Sequence, residues 1–201
     1  MDFHGNNVHQ VGFGNAKIIA AIKKQLDTLS FCTRRYTNAV AIDLAEKLAR
    51  LAPGDLNKVL FCPGGAEAVG IALKLARVVT GRHKTISLWD SFHGATLDTI
   101  SIGGEAVFRR DVGPLLPGTE HVPAPDPSRA FYDLGDPEKW EMLCAHYVEY
   151  ILKQEGDIAA VIAEPIRSTP YVPSVKYWHT IRQACDRHGT LLIFDEIPHA
   201  L

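Results

Sequence analysis

The apolar positions near the start of the chain recur at the spacing of an α-helix. Residues 15–29 gather their isoleucine and leucine side chains on one face, and Asn15 is positioned to cap the first turn. Residues 38–51 repeat this pattern, and Pro53 and Gly54 supply a stop directly after it. The pattern predicts two amphipathic helices in this part of the chain.

Further along the chain, short apolar runs alternate with helical patterns. Strands are predicted at residues 58–62, 84–89, 158–163 and 190–194, and helices at residues 66–80, 137–155 and 174–188. Residues 105–135 are rich in Pro and Gly and are predicted to cross the surface without regular structure. The alternation predicts an α/β fold with a mostly parallel sheet.

Composition narrows the class of protein. Lys and Arg total 21 against 23 Asp and Glu, a net charge of -2, so no basic surface for nucleic acid or an acidic membrane stands out. No apolar stretch reaches the length of a membrane span, and the 4 cysteines are too widely spaced for a disulfide framework or a zinc site. A cytoplasmic protein with a small-molecule partner and no metal is predicted.

Residues directly after a strand are the first candidates for a site, because ligands of α/β sheets bind beyond the carboxyl ends of the strands. After the first strand, Gly64, Gly65 and Ala66 open a helix whose free backbone N–H groups suit a phosphate; a plain connecting turn is the alternative. After the second strand, Phe92 and His93 precede a glycine that would admit a flat ring. A core phenylalanine beside a turn fits the same residues.

Acidic residues follow the last two strands. Glu164 comes directly after residues 158–163 and is either a site residue or a capping or surface glutamate. Asp195 and Glu196 follow a wholly apolar strand, where a carboxylate must be paired, bound to a metal or functional. Mg²⁺ binding is the competing interpretation, but no P-loop accompanies this pair. Asp195 is therefore the strongest single candidate.

Four segments, taken in order, resemble one known family. FCPGGAEAVGIALKLAR, SLWDSFHGAT, AAVIAEPI and LLIFDEI, with the loop GTEHVPAPD, are similar to the class III aminotransferases of the ornithine and 4-aminobutyrate type, over nearly the whole chain. The resemblance implies the three-layer large domain of fold type I, with residues 1–50 leading into a partial cofactor domain at residues 51–201. It also implies pyridoxal 5′-phosphate (PLP) as cofactor, amino-group transfer as reaction, and a homodimer whose subunits complete each other's active site.

The resemblance assigns cofactor contacts to residues at matching positions. Backbone N–H groups of Gly65 and Ala66 would hold the cofactor phosphate. Phe92 would stack on one face of the ring and Ile197 would pack on the other. His93, next to Phe92, belongs to the same cofactor site.

The resemblance also assigns catalytic and substrate contacts. Asp195 would pair with the ring nitrogen and keep it protonated, and Glu164 matches the family glutamate on the substrate side of the ring. Arg34, Arg35 and Tyr36 lie where the family contributes substrate contacts. A solvated basic turn is the other interpretation of these three residues.

A few positions depart from the family pattern. Gly64 and Ala66 replace the usual serine and threonine of the phosphate turn, so only backbone donors remain for the phosphate. Pro198 replaces a glutamine that contacts the cofactor. Together with HGNNVHQ and RRYTN, Pro198 resembles a subgroup of ammonia-lyases for amino-hydroxy-phosphonates, in which the same carbanion chemistry drives elimination. An aminotransferase is the first expectation for function, and such a lyase is the second.

The family's Schiff-base lysine lies beyond the Asp-Glu strand and is expected outside this chain. Lys84 opens a strand and Lys176 lies in a helix, so both are predicted to be exposed charges and not substitutes. Because LLIFDEIPHAL stops just beyond an apolar strand, a truncated chain is expected, inactive on its own. A non-catalytic fragment is the third alternative.

Overall fold

The computed structural model describes residues 11–33, 35–167 and 171–198. The chain forms two compact units, Met1–Phe61 and Cys62–Leu201. The domain boundary expected between residues 50 and 51 stays a prediction. Within the described ranges, no helix combines the length and the apolar content that a bilayer span requires.

The described part of the first unit contains two helices, α1 (Ala16–Thr28) and α2 (Ala39–Leu51), which confirms both predicted helices. Asn15 caps α1 by accepting backbone hydrogen bonds at 3.1 and 3.4 Å. Asn38 caps α2 in the same way at 2.9 Å. Neither helix contains a fully buried residue.

The strand predicted at residues 58–62 is wrong, because these residues form no β-strand. An apolar run indicates only that its residues prefer to be buried. A strand also needs a neighbour with which its backbone continues a hydrogen-bond ladder, and the local sequence does not specify that neighbour.

The second unit is built on a parallel sheet of four strands: β1 (Lys84–Leu88), β2 (Thr119–Val122), β3 (Ile158–Ala163) and β4 (Leu191–Phe194). Their order is β2-β1-β3-β4, and all three pairs are parallel, as predicted. β2 lies in the Pro- and Gly-rich stretch for which the sequence predicts no regular structure, so that prediction is wrong. This short edge strand owes its conformation to pairing with β1 more than to its own composition.

Five helices and one short 3₁₀ helix (Pro127–Arg129) accompany the sheet: α3 (Gly65–Thr80), α4 (Leu97–Ile102), α5 (Ala106–Arg109), α6 (Pro137–Glu155) and α7 (Val175–His188). α3, α6 and α7 confirm the predicted helices, and each ends at a glycine in the left-handed conformation. α4 and α5 are too short for a periodic pattern to predict.

Side chains of β3 alternate between two helical layers. Val161 and Ala163 pack with α6 and α7, whereas Ile162 packs with α3 and α4 on the other face. All residues of β3 are buried, so this strand lies at the centre of the unit. The three-layer α/β arrangement expected from the resemblance is confirmed, and it brings the loops after the strands to one edge of the sheet.

Candidate active site

The loops that follow β1, β3 and β4 meet at the carboxyl edge of the sheet. Phe92 and His93 follow β1, Glu164 follows β3, and Asp195 follows β4. Because β3 lies between β1 and β4, residues far apart in sequence are neighbours here. Two hydrogen bonds join the loops, one between His93 and Asp195 and one between the Phe92 backbone and Glu164.

Asp195 forms a buried hydrogen-bonded pair with His93. His93 Nδ1 lies 2.8 Å from Asp195 Oδ2, and the two side chains are 0% and 3% exposed. Because an ionised carboxylate has no hydrogen to donate, the N–H at Nδ1 is the donor. His93 Nε2 is buried and has no hydrogen-bond partner among the described residues. His93 therefore lies against Asp195, where it fixes the orientation of the carboxylate.

The start of α3 contacts both neighbouring loops. A Cβ atom on Gly65 would lie 2.7 Å from Ile197 Cδ1, so Ile197 packs directly on the glycine turn. A Cβ atom on Gly94, whose φ is 127°, would lie 2.8 Å from Ala66 Cβ. The two glycines let the turn at residues 64–66 approach the loops that carry the other predicted site residues.

The first turn of α3 offers backbone donors. Gly64 is its N-cap and makes no side-chain cap hydrogen bond. The N–H groups of Gly65 and Ala66 have no acceptor within the helix, because they belong to its first turn. The helix dipole favours an anion at this position, so a phosphate is the natural ligand for these groups.

Glu164 links the loop after β3 to Phe92. Its Oε1 accepts a hydrogen bond from Phe92 N at 2.9 Å. Burial raises the pKa of Glu164 above its ordinary value, while this hydrogen bond and the charges of His93 and Arg167 oppose the rise. The Phe92 ring is 40% exposed and lies 4.5 Å from the Phe108 ring, so part of it is open to a ligand.

The loop after β1 is fixed by Ser91 and Gly104. Ser91 Oγ donates to Leu88 O at 2.7 Å, and Gly104 N donates to Ser91 O at 2.9 Å. A Cβ atom on Gly104 would lie 2.1 Å from Leu88 O, so this close approach of backbones requires glycine. The sequence analysis missed this contact, and the Gly103-Gly104 pair is the signal that points to it.

A pocket opens between the loops after β1, β2 and β3. Its interior space is about 30 Å³, room for one or two water-sized groups, such as the oxygens at one end of a small molecule. Its polar lining includes Ser91, Asp126, Arg129, Glu164 and Arg167. Arg167 is not among the site residues predicted from the sequence, although a basic residue three positions after Glu164 is a usable signal.

The substrate contacts expected in the first unit stay predictions. Arg35 and Tyr36 are exposed residues of that unit. Arg34 lies outside the described residues.

Two lysines weighed as substitutes for the cofactor lysine lie away from these loops. Lys84 begins β1 at the opposite edge of the sheet, where it forms ion pairs with Glu155 and Asp157. Lys176 lies on α7 and forms an ion pair with Glu138 at 2.6 Å. Lys176 is 63% exposed, as predicted. Lys84 is only 26% exposed, so its predicted exposure is wrong, because its side chain lies against Glu155 and Asp157.

The meeting point of the loops fits a flat molecule with a ring nitrogen and an anionic tail. Among the described residues, the buried Asp195 side chain accepts hydrogen bonds from His93 and from Ile197 N, and a protonated ring nitrogen would add a positive partner beside it. The backbone N–H groups of Gly65 and Ala66 lie at a helix start that favours an anion. Across the described part of the chain, no three His, Cys, Asp or Glu side chains form a metal-binding cluster. The features match PLP, the cofactor that the resemblance implies.

Sequence comparisons agree on one family. The family model for class III aminotransferases matches residues 1–199. An (R)-1-hydroxy-2-aminoethylphosphonate ammonia-lyase from Vibrio splendidus is 48% identical, and the match covers 100% of this chain and 45% of the relative. An acetylornithine aminotransferase from Methanopyrus kandleri is 35% identical, with 98% of this chain and 46% of the relative covered.

A solved structure supports the same relationship. An amine transaminase from an uncultivated Pseudomonas species, in a PLP-bound form, superposes with a TM-score of 0.83 at 33% identity. The match covers 96% of this chain and 47% of that chain. The chain described here spans about half the length of the relatives it matches.

Proposed function

Because this chain belongs to the class III aminotransferase family, we propose that the whole protein is a PLP-dependent enzyme that acts on the amino group of a small molecule. The observation that carries the proposal is the buried Asp195 carboxylate, held by His93 beside the glycine-lined start of α3. A negative charge is costly in such a place unless a positive partner completes it. The ring nitrogen of PLP is that partner.

The residues of the site have separate tasks in this proposal. When bound, PLP supplies an electron sink for the electron pair left on the amino-bearing carbon as it loses a proton. Asp195 holds the proton on the ring nitrogen, and His93 keeps Asp195 in place. The N–H groups of Gly65 and Ala66 bind the phosphate. Phe92 packs on the ring and fixes its plane.

Two reactions follow from this chemistry. Transfer of the amino group to a keto acid is the reaction of the acetylornithine aminotransferases, which are about one third identical. Elimination of ammonia is favoured by one specific observation, the 48% identity with the phosphonate ammonia-lyase over the full chain. Pro198, in place of the glutamine of the aminotransferases, agrees with that second candidate. The higher identity gives elimination the stronger support.

An assay of ammonia release separates the two reactions. The whole protein with PLP, given (R)-1-hydroxy-2-aminoethylphosphonate and no keto acid, is expected to release ammonia as the substrate is consumed. An aminotransferase would instead need a keto acid and would release no free ammonia. Absence of turnover with and without a keto acid, for this substrate and for acetylornithine, would contradict the proposed function.

We also propose that the lysine that binds PLP covalently lies outside residues 1–201. Lys84 and Lys176 are held in ion pairs away from the meeting point of the loops, which supports this placement. Borohydride reduction of the PLP-loaded whole protein, followed by peptide mapping, is expected to label a lysine outside residues 1–201. A label on any lysine within residues 1–201, Lys84 and Lys176 included, would refute the proposal. A homodimeric state and a cytoplasmic location stay predictions.

A further inference from the structure

The pocket between the loops after β1, β2 and β3 contains an arginine whose hydrogen-bonding capacity is only partly used by the described residues. The Arg167 side chain is only 16% exposed, and its Nη2 lies 3.4 Å from Glu105 Oε2. Its Nη1 is buried and has no hydrogen-bond partner in the described part of the protein. A buried donor without an acceptor is costly, so a ligand that brings an acceptor to this guanidinium is stabilised by removing that cost.

The other arginine of the pocket is already neutralised. Arg129 Nη1 lies 3.1 Å from Asp90 Oδ2, and its Nε lies 3.8 Å from Asp126 Oδ2. Asp126 also accepts a hydrogen bond from Ser128 N at 2.9 Å, which keeps its carboxylate in place. Of the two guanidinium groups, Arg167 is therefore the one with capacity for an incoming anion.

The pocket adjoins the place assigned to the cofactor. Glu164 lines the pocket and accepts the hydrogen bond from Phe92 N, the residue assigned to the ring face. Ser91, directly before Phe92, lines the pocket as well. A molecule whose amino group reaches the cofactor can therefore place its other end in this pocket.

We propose that Arg167 binds the oxyanion at the far end of the amino substrate, with a phosphonate preferred to a carboxylate. The inference rests on the proposed function and names the substrate class of that site. The planar guanidinium presents five N–H donors in a fork that matches two oxygens of either anion, so the preference for a phosphonate rests on its second negative charge. Glu105 holds the guanidinium only loosely, at 3.4 Å, so a dianion competes for it effectively.

Titration calorimetry with ethylphosphonate tests the inference, since this probe has the anion but no amino group to react. The whole PLP-loaded protein is expected to bind ethylphosphonate more tightly than propionate. Arg167→Gln is expected to weaken ethylphosphonate binding by about 10- to 100-fold, the range for a charged hydrogen bond. Arg167→Lys keeps the positive charge but lacks the planar fork of donors. Its affinity for ethylphosphonate is expected to lie between those of the parent protein and Arg167→Gln.

The control is Arg187→Gln, which removes one positive charge from an exposed ion pair with Glu149 on α6. It is expected to bind ethylphosphonate like the parent protein, and PLP affinity from an absorbance titration is expected to be equal in all variants. Absent binding by the parent protein, or equal binding by the Arg167 variants, overturns the inference. Tighter binding of propionate overturns the preference for phosphonate.

The same titrations separate this inference from the proposed function. If the parent protein binds no PLP but still binds ethylphosphonate in an Arg167-dependent way, the proposed function fails and the anion site stands. If PLP binds normally and the Arg167 variants bind the probe unchanged, the anion site fails and the proposed function stands.

Discussion

Replacement of Asp195 by Asn lowers kcat of the whole protein by about 10²- to 10³-fold, the usual effect of removing one well-placed electrostatic group from an active site. Asn has nearly the shape of Asp, and its side-chain oxygen still accepts the hydrogen bond from His93 Nδ1. It lacks the negative charge that keeps a ring nitrogen protonated. The loss is therefore expected in catalysis and not in folding.

Steady-state kinetics and the PLP absorbance spectrum measure this effect, with circular dichroism to follow folding. The matched control is Asp186→Asn on α7, where Asp186 pairs with Arg182 at 2.6 Å and is 65% exposed. An exposed pair of this kind contributes about 0 to 1 kcal/mol, so the control is expected to keep its activity and its fold. Unchanged kcat in Asp195→Asn would remove Asp195 from the catalytic site.

Replacement of Gly104 by Ala is expected to lower the free energy of unfolding by about 3 kcal/mol, the upper end for overpacking a well-packed site. The added methyl group would lie 2.1 Å from Leu88 O and 2.6 Å from Trp89 Cα. These are backbone atoms at the end of β1, so the strand or the glycine must move. Such a shift breaks the hydrogen bond from Gly104 N to Ser91 O and displaces the loop that carries Phe92.

Urea denaturation of the whole protein measures the effect, and Gly103→Ala is a control one residue away. At Gly103 the nearest atoms to an added Cβ lie 3.4, 3.5 and 3.6 Å away, which is ordinary contact. We expect Gly103→Ala to unfold near the parent midpoint and Gly104→Ala to unfold earlier and to bind PLP more weakly. Equal midpoints for the two variants would contradict the close packing described here.

The sequence predicts the long helices well because their signals are local. The side chains of Asn15, Asn38 and Ser174 cap helices, and glycines such as Gly81 end them, so the start and stop residues lie within the segments themselves. The buried strand β3 is equally clear, since all its residues are apolar and buried. Local propensity and burial agree in these segments.

The errors concern segments whose structure depends on distant partners. β2 has a mixed composition and becomes a strand because its backbone pairs with β1, from Thr85 opposite Thr119 to Leu88 opposite Val122. Residues 58–62 have a strand composition and form no strand. Pairing is a property of two segments, so neither composition alone settles it.

The site residues also fall into those that the local sequence predicts and those that depend on distant partners. Asp195 and Glu164 are predictable, because a carboxylate directly after a buried apolar strand is costly unless it has a partner or a function. The hydrogen bond between His93 and Asp195 joins residues 102 positions apart, and nothing in either local sequence specifies it. Arg167 is similar, since its significance comes from a buried nitrogen for which the described residues offer no acceptor.

Each loop leaves the sheet from a different parallel strand. The residues proposed for catalysis and for substrate binding therefore lie in different stretches of the chain. Asp195 comes from the loop after β4, whereas Arg167 comes from the loop after β3. Under the proposal that Arg167 binds the far end of the substrate, variation in the loop after β3 changes which amine is accepted and leaves the Asp195 carboxylate unchanged. Such modularity allows one scaffold to give rise to enzymes with different substrates while the reaction centre stays the same.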